Sequence, residues 1–289
     1  MNNYVCALFL FTTMRFCSSD TECKEPTSVT LTEKWSTEAV MKTPESALYD
    51  ESRRVIFVSN INGFNNDQHD GDGFISKLKP NGTVDKLDWV TGLNDPKGLA
   101  IWKNKLYVAD IDHLVEININ NGSIVNSYPI SGAIFLNDVT VDSKGTVYVS
   151  DTGGNKIYQL KGNTITVFDE DENVSGPNGL MAESETLIMA SAATGNIGLI
   201  DYQTKNYTNW TSGIANADGI AKDRFKNYFI SNWQGEVYYV FTNGNTLKLL
   251  DTKDAGINSA DVSMMQKENI LLVPTFFNNR IVAYQATYE

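Results

Sequence analysis

The chain is poor in histidine and cysteine, and its cations are scattered. Two histidines in 289 residues leave almost nothing for a Ser-His-Asp triad or a zinc centre. No Gly-x-Ser-x-Gly elbow is present. The three cysteines, Cys6, Cys17 and Cys23, all precede the region that reads as folded, so the fold uses no internal disulfide and a catalytic thiol is disfavoured. Lys and Arg total 23 against 35 Asp and Glu, for a net charge of −12, and the cations form no run. Nucleic acid, whose phosphates need clustered cations, is therefore not expected as a partner. A polybasic membrane contact is disfavoured for the same reason. The apolar stretch Val5–Phe11 falls well short of the about 20 residues that span a bilayer.

That stretch fits the core of a secretory signal, although a basic flank is missing, and residues 1–19 are read as a signal peptide. Five N-x-S/T sequons follow, at Asn81, Asn121, Asn173, Asn206 and Asn209, most of them in or beside expected outer turns where a glycan stands in water. The expectation is a secreted glycoprotein. The alternative is an intracellular protein that keeps its leader.

What the chain does have is one pattern six times over. A turn leads into a short apolar strand, and a few polar residues lead to a second. The aligned positions are 45, 97, 137, 178, 218 and 260, at intervals of 52, 40, 41, 40 and 42. A period near 40 with four short strands per unit indicates a β-propeller. The expected fold is all-β: a six-bladed β-propeller over residues 28–289, with four antiparallel strands per blade and no helix of substance. Blade 6 has only three strands after residue 260, so the N-terminal segment Val29–Trp35 is expected to supply its outer strand and close the ring. The long first interval reflects an insertion at 60–73, expected as a loop over the tunnel mouth; its Asp70-Gly71-Asp72-Gly73 lacks the bidentate Glu of a calcium loop. His69 in that loop reads more simply as a solvated residue than as a base.

The innermost strands of a propeller run roughly along its axis, so their first residues converge: Glu45, Lys97, Asn137, Asn178, Asp218 and Ala260. Two carboxylates and two amide oxygens are what Ca²⁺ accepts, with about 6–8 hard ligands at about 2.3–2.6 Å. Zinc would want His or Cys, and none stands here. A plain turn-capping role would scatter Ser, Thr and Gly through the ring instead. The ends of the second strands form a further ring, Asn60, Asp110, Asp151, Ser191, Asn232 and Thr275. It is expected to line a substrate cup with Trp233 and Phe276, or else to hold the connecting loops together. Asp138 and Asp261, one residue past the first ring, are expected to tie neighbouring blades.

Four of these segments carry a resemblance. Pro44-Glu45, Leu136-Asn137-Asp138 with Val141-Asp142-Ser143-Lys144-Gly145, Pro177-Asn178-Gly179-Leu180 and Ala217-Asp218-Gly219-Ile220 occur in order, one per blade. Together they resemble the senescence-marker-protein, gluconolactonase and luciferin-regenerating-enzyme family, relatives of diisopropyl-fluorophosphatase, over about residues 40–285. The resemblance implies one tunnel cation, usually calcium, held by Glu45, Asn178 and Asp218. Asn137 would be a ligand or a substrate contact. Asp218 would also take a proton from the attacking water. Asn137, Lys97, Asp110, Asp151 and Asn232 are the expected substrate contacts.

Lys97 departs from the pattern. At an effective dielectric near 20, an amine about 7 Å from a divalent cation is repelled by about 4–5 kcal/mol, or about three decades of affinity. Three outcomes are open. Lys97 turns to Asp95 or Asp110 and leaves calcium in place, or it replaces the metal by pairing with Glu45 and Asp218, or it is a functional amine. The expected activity is calcium-dependent hydrolysis of a lactone or similar ester. The alternatives are a metal-free synthase or lyase, as in the related strictosidine-synthase-like propellers, or a non-catalytic ligand-binding propeller. The expected partner is a small molecule, and the chain is expected to be a monomer or weak oligomer.

Overall fold

The computed structural model describes residues 25–63 and 69–289. The leader at 1–19, the three cysteines and residues 64–68 of the insertion lie outside the described residues.

Twenty-four strands, β1 (Val29–Ser36) to β24 (Ile281–Tyr288), form six four-stranded antiparallel sheets. Five blades use consecutive strands, beginning with β2 (Pro44–Asp50) and followed by β6 (Pro96–Trp102), β10 (Leu136–Val141), β14 (Pro177–Ala182) and β18 (Ala217–Lys222) as the inner strands. The sixth runs β1-β24-β23-β22, with β23 (Ile270–Pro274) inside β24 and β22 (Ser263–Met265) innermost. The N-terminal strand thus closes the ring as expected, pairing Val29 with Tyr288 at one end and Ser36 with Val282 at the other. A sheet edge that would otherwise stand open is covered. Among the described residues the only helical pieces are 3-10 turns at Lys253–Ala255 and Phe276–Asn278.

The alternation along each strand sends apolar side chains to both faces of a blade, and each face meets its neighbour. Between blades 1 and 2, Phe57 and Ile75 pack with Leu99, Leu106 and Val115. At the closing seam, Ala47, Ile56 and Val58 of blade 1 pack with Leu272, Ile281 and Ala283 of blade 6. The core is therefore a ring of seams around the axis, and the axis itself is left to the first residues of the inner strands.

Candidate metal and substrate site

A repeated backbone irregularity builds the site. In blade 1, Pro44 pairs with Asn60 and Ala47 with Val58, so Glu45 and Ser46 together face Ser59. The same step recurs between Pro96 and Leu99, Leu136 and Val139, Pro177 and Leu180, and Ala217 and Ile220. Two residues against one is a β-bulge, which turns a side chain away from the regular pleat. In blades 1, 3 and 5 a buried serine on the second strand accepts the bulge N–H: Ser59 from Ser46 at 2.9 Å, Ser150 from Asp138 at 2.8 Å, and Ser231 from Gly219 at 2.8 Å. In these five blades the first bulge residue is the one read from the sequence as a ring member.

Five ring members, Glu45, Lys97, Asn137, Asn178 and Asp218, are buried and line one cavity of about 320 Å³. The sixth, Ala260, is fully buried behind Ile61 and Phe276. Among the described residues, three buried ring oxygens have no hydrogen-bond partner: Glu45 Oε2, Asn137 Oδ1 and Asn178 Oδ1. Asn137 Nδ2 donates to Thr152 Oγ1 at 3.2 Å, and the Asn178 side chain lies close enough to Asp218 to favour its charged form. Only two ring members are acids, so any cation held here relies on amide oxygens. No group of three or more His, Cys, Asp or Glu suited to a metal occurs among the described residues.

The electrostatics are those of crowded acids. Burial, and then the carboxylates of Asp218 and Asp261, push Glu45 well above the usual carboxylate range, while Lys97 pulls the other way. Burial and Asp261 raise Asp218, which the Asn178 side chain partly offsets. Burial alone lifts Asp261 to about 7 against the opposing Ser46 hydrogen bond.

Lys97 does not reach the ring acids. Its Nζ donates to the backbone oxygen of Asp95 at 3.4 Å and lies 4.4 Å from the centre of the Phe135 ring. Among the described residues it forms no ion pair with Glu45, Asp218 or Asp110; of the three outcomes left open, it has turned to Asp95, through the backbone carbonyl.

The second-strand ring is committed elsewhere. Asp110 accepts the Asn94 N–H at 3.0 Å, and Asp151 accepts the N–H groups of Ile134, Phe135 and Gly154 at 3.1, 2.8 and 2.9 Å. Asn232 accepts from Glu236 N and donates to Ala215 O and Glu236 Oε2. None of the three lines the cavity. Asp110, Asp151 and Asn232 thus brace the connecting loops, the other role the sequence allowed them. The cavity wall comes one residue later, from Ile61, Thr152, Ala192, Trp233 and Phe276, where the chain leaves the second strand of each blade. Asp95, Phe135 and Asn216, two residues before their ring members, complete it. Trp233 and Phe276, read as cup residues from the sequence, are in place, with ring centroids 5.6 Å apart.

Asp138 and Asp261 tie blades as expected. Asp138 Oδ2 accepts the Leu180 N–H of blade 4 at 2.6 Å, and Asp261 accepts the Ser46 hydroxyl of blade 1 at 2.5 Å. With Ser46 they face a second cavity of about 270 Å³ beyond the bulges, walled by residues such as Leu99, Val139, Leu180 and Val262. In the insertion, His69 is exposed and lies 3.8 Å from Asp112, away from the ring. All five sequon asparagines are exposed.

Several solved propellers share this fold. A gluconolactonase from Xanthomonas campestris aligns with a TM-score of 0.66 at 15% identity, over 86% of this chain and 87% of its own. A structure put forward as a gluconolactonase gives 0.69 at 13% identity, over 91% and 94%. Virginiamycin B lyase from Staphylococcus aureus gives 0.65 at 13% identity, over 89% and 99%. No protein-family model matches the chain, and no curated protein matches it in sequence. At these identities the likeness is one of architecture alone, that of a β-propeller.

Proposed function

We propose that the chain is a calcium-dependent hydrolase of a lactone or similar ester, with one cation seated on the ring. The observation that carries this reading is the set of three partnerless buried oxygens on Glu45, Asn137 and Asn178, which share one cavity with Asp218. A buried polar atom left unpaired costs about 1–3 kcal/mol, and a single oxygen-seeking cation would relieve all three. Hard oxygens, two of them from acids, suit Ca²⁺ and not zinc.

When bound, the cation would polarise the substrate carbonyl as a Lewis acid. The chain's residues supply the rest. Glu45, Asn137, Asn178 and Asp218 would hold the cation, with the Asn178 side chain beside the Asp218 carboxylate. Asp218 would also take a proton from the attacking water, help of the kind typically worth about 10²–10⁴-fold. Lys97, braced by the Asp95 carbonyl and Phe135, has N–H hydrogens to offer a substrate oxygen. Ile61, Trp233 and Phe276 keep bulk water from one side.

Lys97 also supports a second reading, a metal-free synthase or lyase, because its charge is felt at Glu45. Metal analysis of the purified protein, with a lactone and phosphotriester panel, separates the two. Calcium-dependent lactone hydrolysis that Asp218→Ala abolishes, together with calcium binding, supports the hydrolase. Turnover without any divalent cation supports the second reading, and ligand binding without turnover supports a binding propeller.

We further propose that the protein is secreted and glycosylated, on the exposure of Asn81, Asn121, Asn173, Asn206 and Asn209. A mobility shift on glycosidase treatment after expression in a secreting eukaryotic cell tests this. Its partner is taken to be a small molecule and its state a monomer or weak oligomer, since β1 closes the ring from within the same chain.

A further inference from the structure

The cavity is chemically lopsided. Blades 5, 6 and 1 present Trp233, Phe276 and Ile61, an apolar cluster stacked on the alanine that replaces a polar ring member in blade 6. Phe135 and Ala192 add apolar surface from blades 3 and 4. At the rim, Phe277 is 51% exposed with its ring 6.0 Å from that of Trp233, and Ile134, next to Phe135, is 62% exposed. Exposed large hydrophobics are few among the described residues, and these two adjoin residues that line the cavity.

Polar groups line one side of the cavity, Asp95 and Asn216 among them, and several are already hydrogen-bonded. The Thr152 hydroxyl donates to Pro177 O at 2.7 Å and accepts from Asn137 Nδ2 at 3.2 Å. The Asn178 side chain serves Asp218. The bare oxygens of Glu45, Asn137 and Asn178 are acceptors gathered at the floor. Lys97 is a buried donor whose one hydrogen bond goes to Asp95 O. A ligand covered with hydroxyls would bury most of them against rings and methyl groups, where their hydrogen bonds to water are lost and not replaced. A ligand with an apolar body and one oxygen-bearing head would cover the wall and bring its head to the floor.

We propose that the substrate is an alkyl- or aryl-substituted lactone or ester and not a polyhydroxylated sugar lactone. The proposal rests on the hydrolase reading of the same site. Its apolar substituent lies against Trp233, Phe276 and Ile61, and its carbonyl group lies over the ring beside Lys97. Trp233 is the specificity-determining residue.

The test separates binding from turnover. The hydrolysis-resistant lactam analogues of δ-decalactone and glucono-δ-lactone are titrated calorimetrically into wild type, Trp233→Ala and Trp233→Phe with calcium present. The alkyl lactam is expected to bind at least tenfold tighter to wild type. Trp233→Ala should lower that preference roughly tenfold, the size of effect a hydrophobic pocket contact gives, and Trp233→Phe should retain most of it. Equal or tighter binding of the sugar lactam, no binding of the alkyl lactam, or an unchanged preference in a folded Trp233→Ala overturns the proposal. If that variant does not fold, the wild-type comparison decides. Alkyl lactam binding without calcium-dependent turnover of δ-decalactone sinks the hydrolase reading and leaves the ligand preference standing. Preferential turnover of glucono-δ-lactone does the reverse.

Discussion

Replacing Gly179 by alanine tests how tightly the ring is built. Gly179 follows Asn178 in the blade 4 bulge and lies against the inner strand of blade 5. A Cβ there would stand 1.9 Å from the Asp218 carbonyl oxygen, 3.0 Å from its carbonyl carbon and 3.2 Å from Ile220 Cγ1. Carbon and a carbonyl oxygen approach no closer than about 3.3 Å, so one strand must retreat by more than about 1 Å. The obstacle is backbone and cannot swing aside. Overpacking of this kind costs about 1–3 kcal/mol and occasionally more; we expect about 3 kcal/mol, a loss of roughly 6–12 °C in Tm for a chain of this size. Because the retreating strand carries Asp218, ligand binding at the ring should weaken as well. Calorimetric or fluorescence-monitored unfolding reads the stability change. Gly63→Ala is the control, since nothing lies within 4 Å of its Cβ position and its φ is ordinary; it should change stability by less than about 0.5 kcal/mol. If the Gly179 variant is no less stable than the Gly63 variant, the close approach of blades 4 and 5 is wrong.

Other consequences can be measured on the same footing. Ser231 Oγ accepts Gly219 N and donates to Ala260 O, both at 2.8 Å and fully buried, so Ser231→Ala leaves two groups unpaired and should cost about 2–4 kcal/mol in denaturant unfolding; a loss below about 0.5 kcal/mol would deny the bulge brace. Removing residues through Ser36 strips β1 from β24 and bares its edge, so the shortened chain should melt earlier and aggregate with concentration; an unchanged Tm and a monomeric scattering profile would count against ring closure by β1. Burial raises Asp50, but hydrogen bonds from Ser52 and Arg53 outweigh it and hold the carboxyl below its ordinary range. A folded pKa below the unfolded one gives stability that is present above about pH 4 and is lost as pH falls through the folded value. The deficit of Asp50→Asn should therefore be full at neutral pH and fade in acid, and a deficit that grows on acidification would contradict the assignment.

The sequence made the architecture legible because a propeller repeats its turn chemistry. Pro44, Pro96 and Pro177 open inner strands, and the spacing of the ring residues fixed both the blade count and the need for β1. The ring itself was legible for the same reason, since one position per repeat faces the axis. The cavity wall was read one residue early. Asp110, Asp151 and Asn232 are conspicuous as polar strand ends, but their side chains turn back to loop backbone groups, and the less conspicuous Thr152 and Ala192 face the ligand space beside the expected Trp233. The bulge was not legible as such, yet a trace of it stands in Ser59, Ser150 and Ser231, hydroxyls at equivalent places in otherwise apolar strands. Lys97 was legible as a conflict and not as a geometry. That it rests on Phe135 and the Asp95 carbonyl depends on neighbours no spacing rule supplies.

The central claim is that Glu45, Asn137, Asn178 and Asp218 form the seat of a divalent cation. Calcium titration of the purified chain, followed by calorimetry and thermal unfolding in parallel, tests it most directly. The account predicts one calcium per chain and a Tm that climbs with calcium by mass action. The gain should reach about 2.7 kcal/mol at a hundred times Kd, or roughly 5–10 °C for a chain of this size. Both signals should vanish in Asp218→Ala while the fold is kept. A wild-type chain that takes up no calcium and melts at the same temperature with and without it would contradict the account.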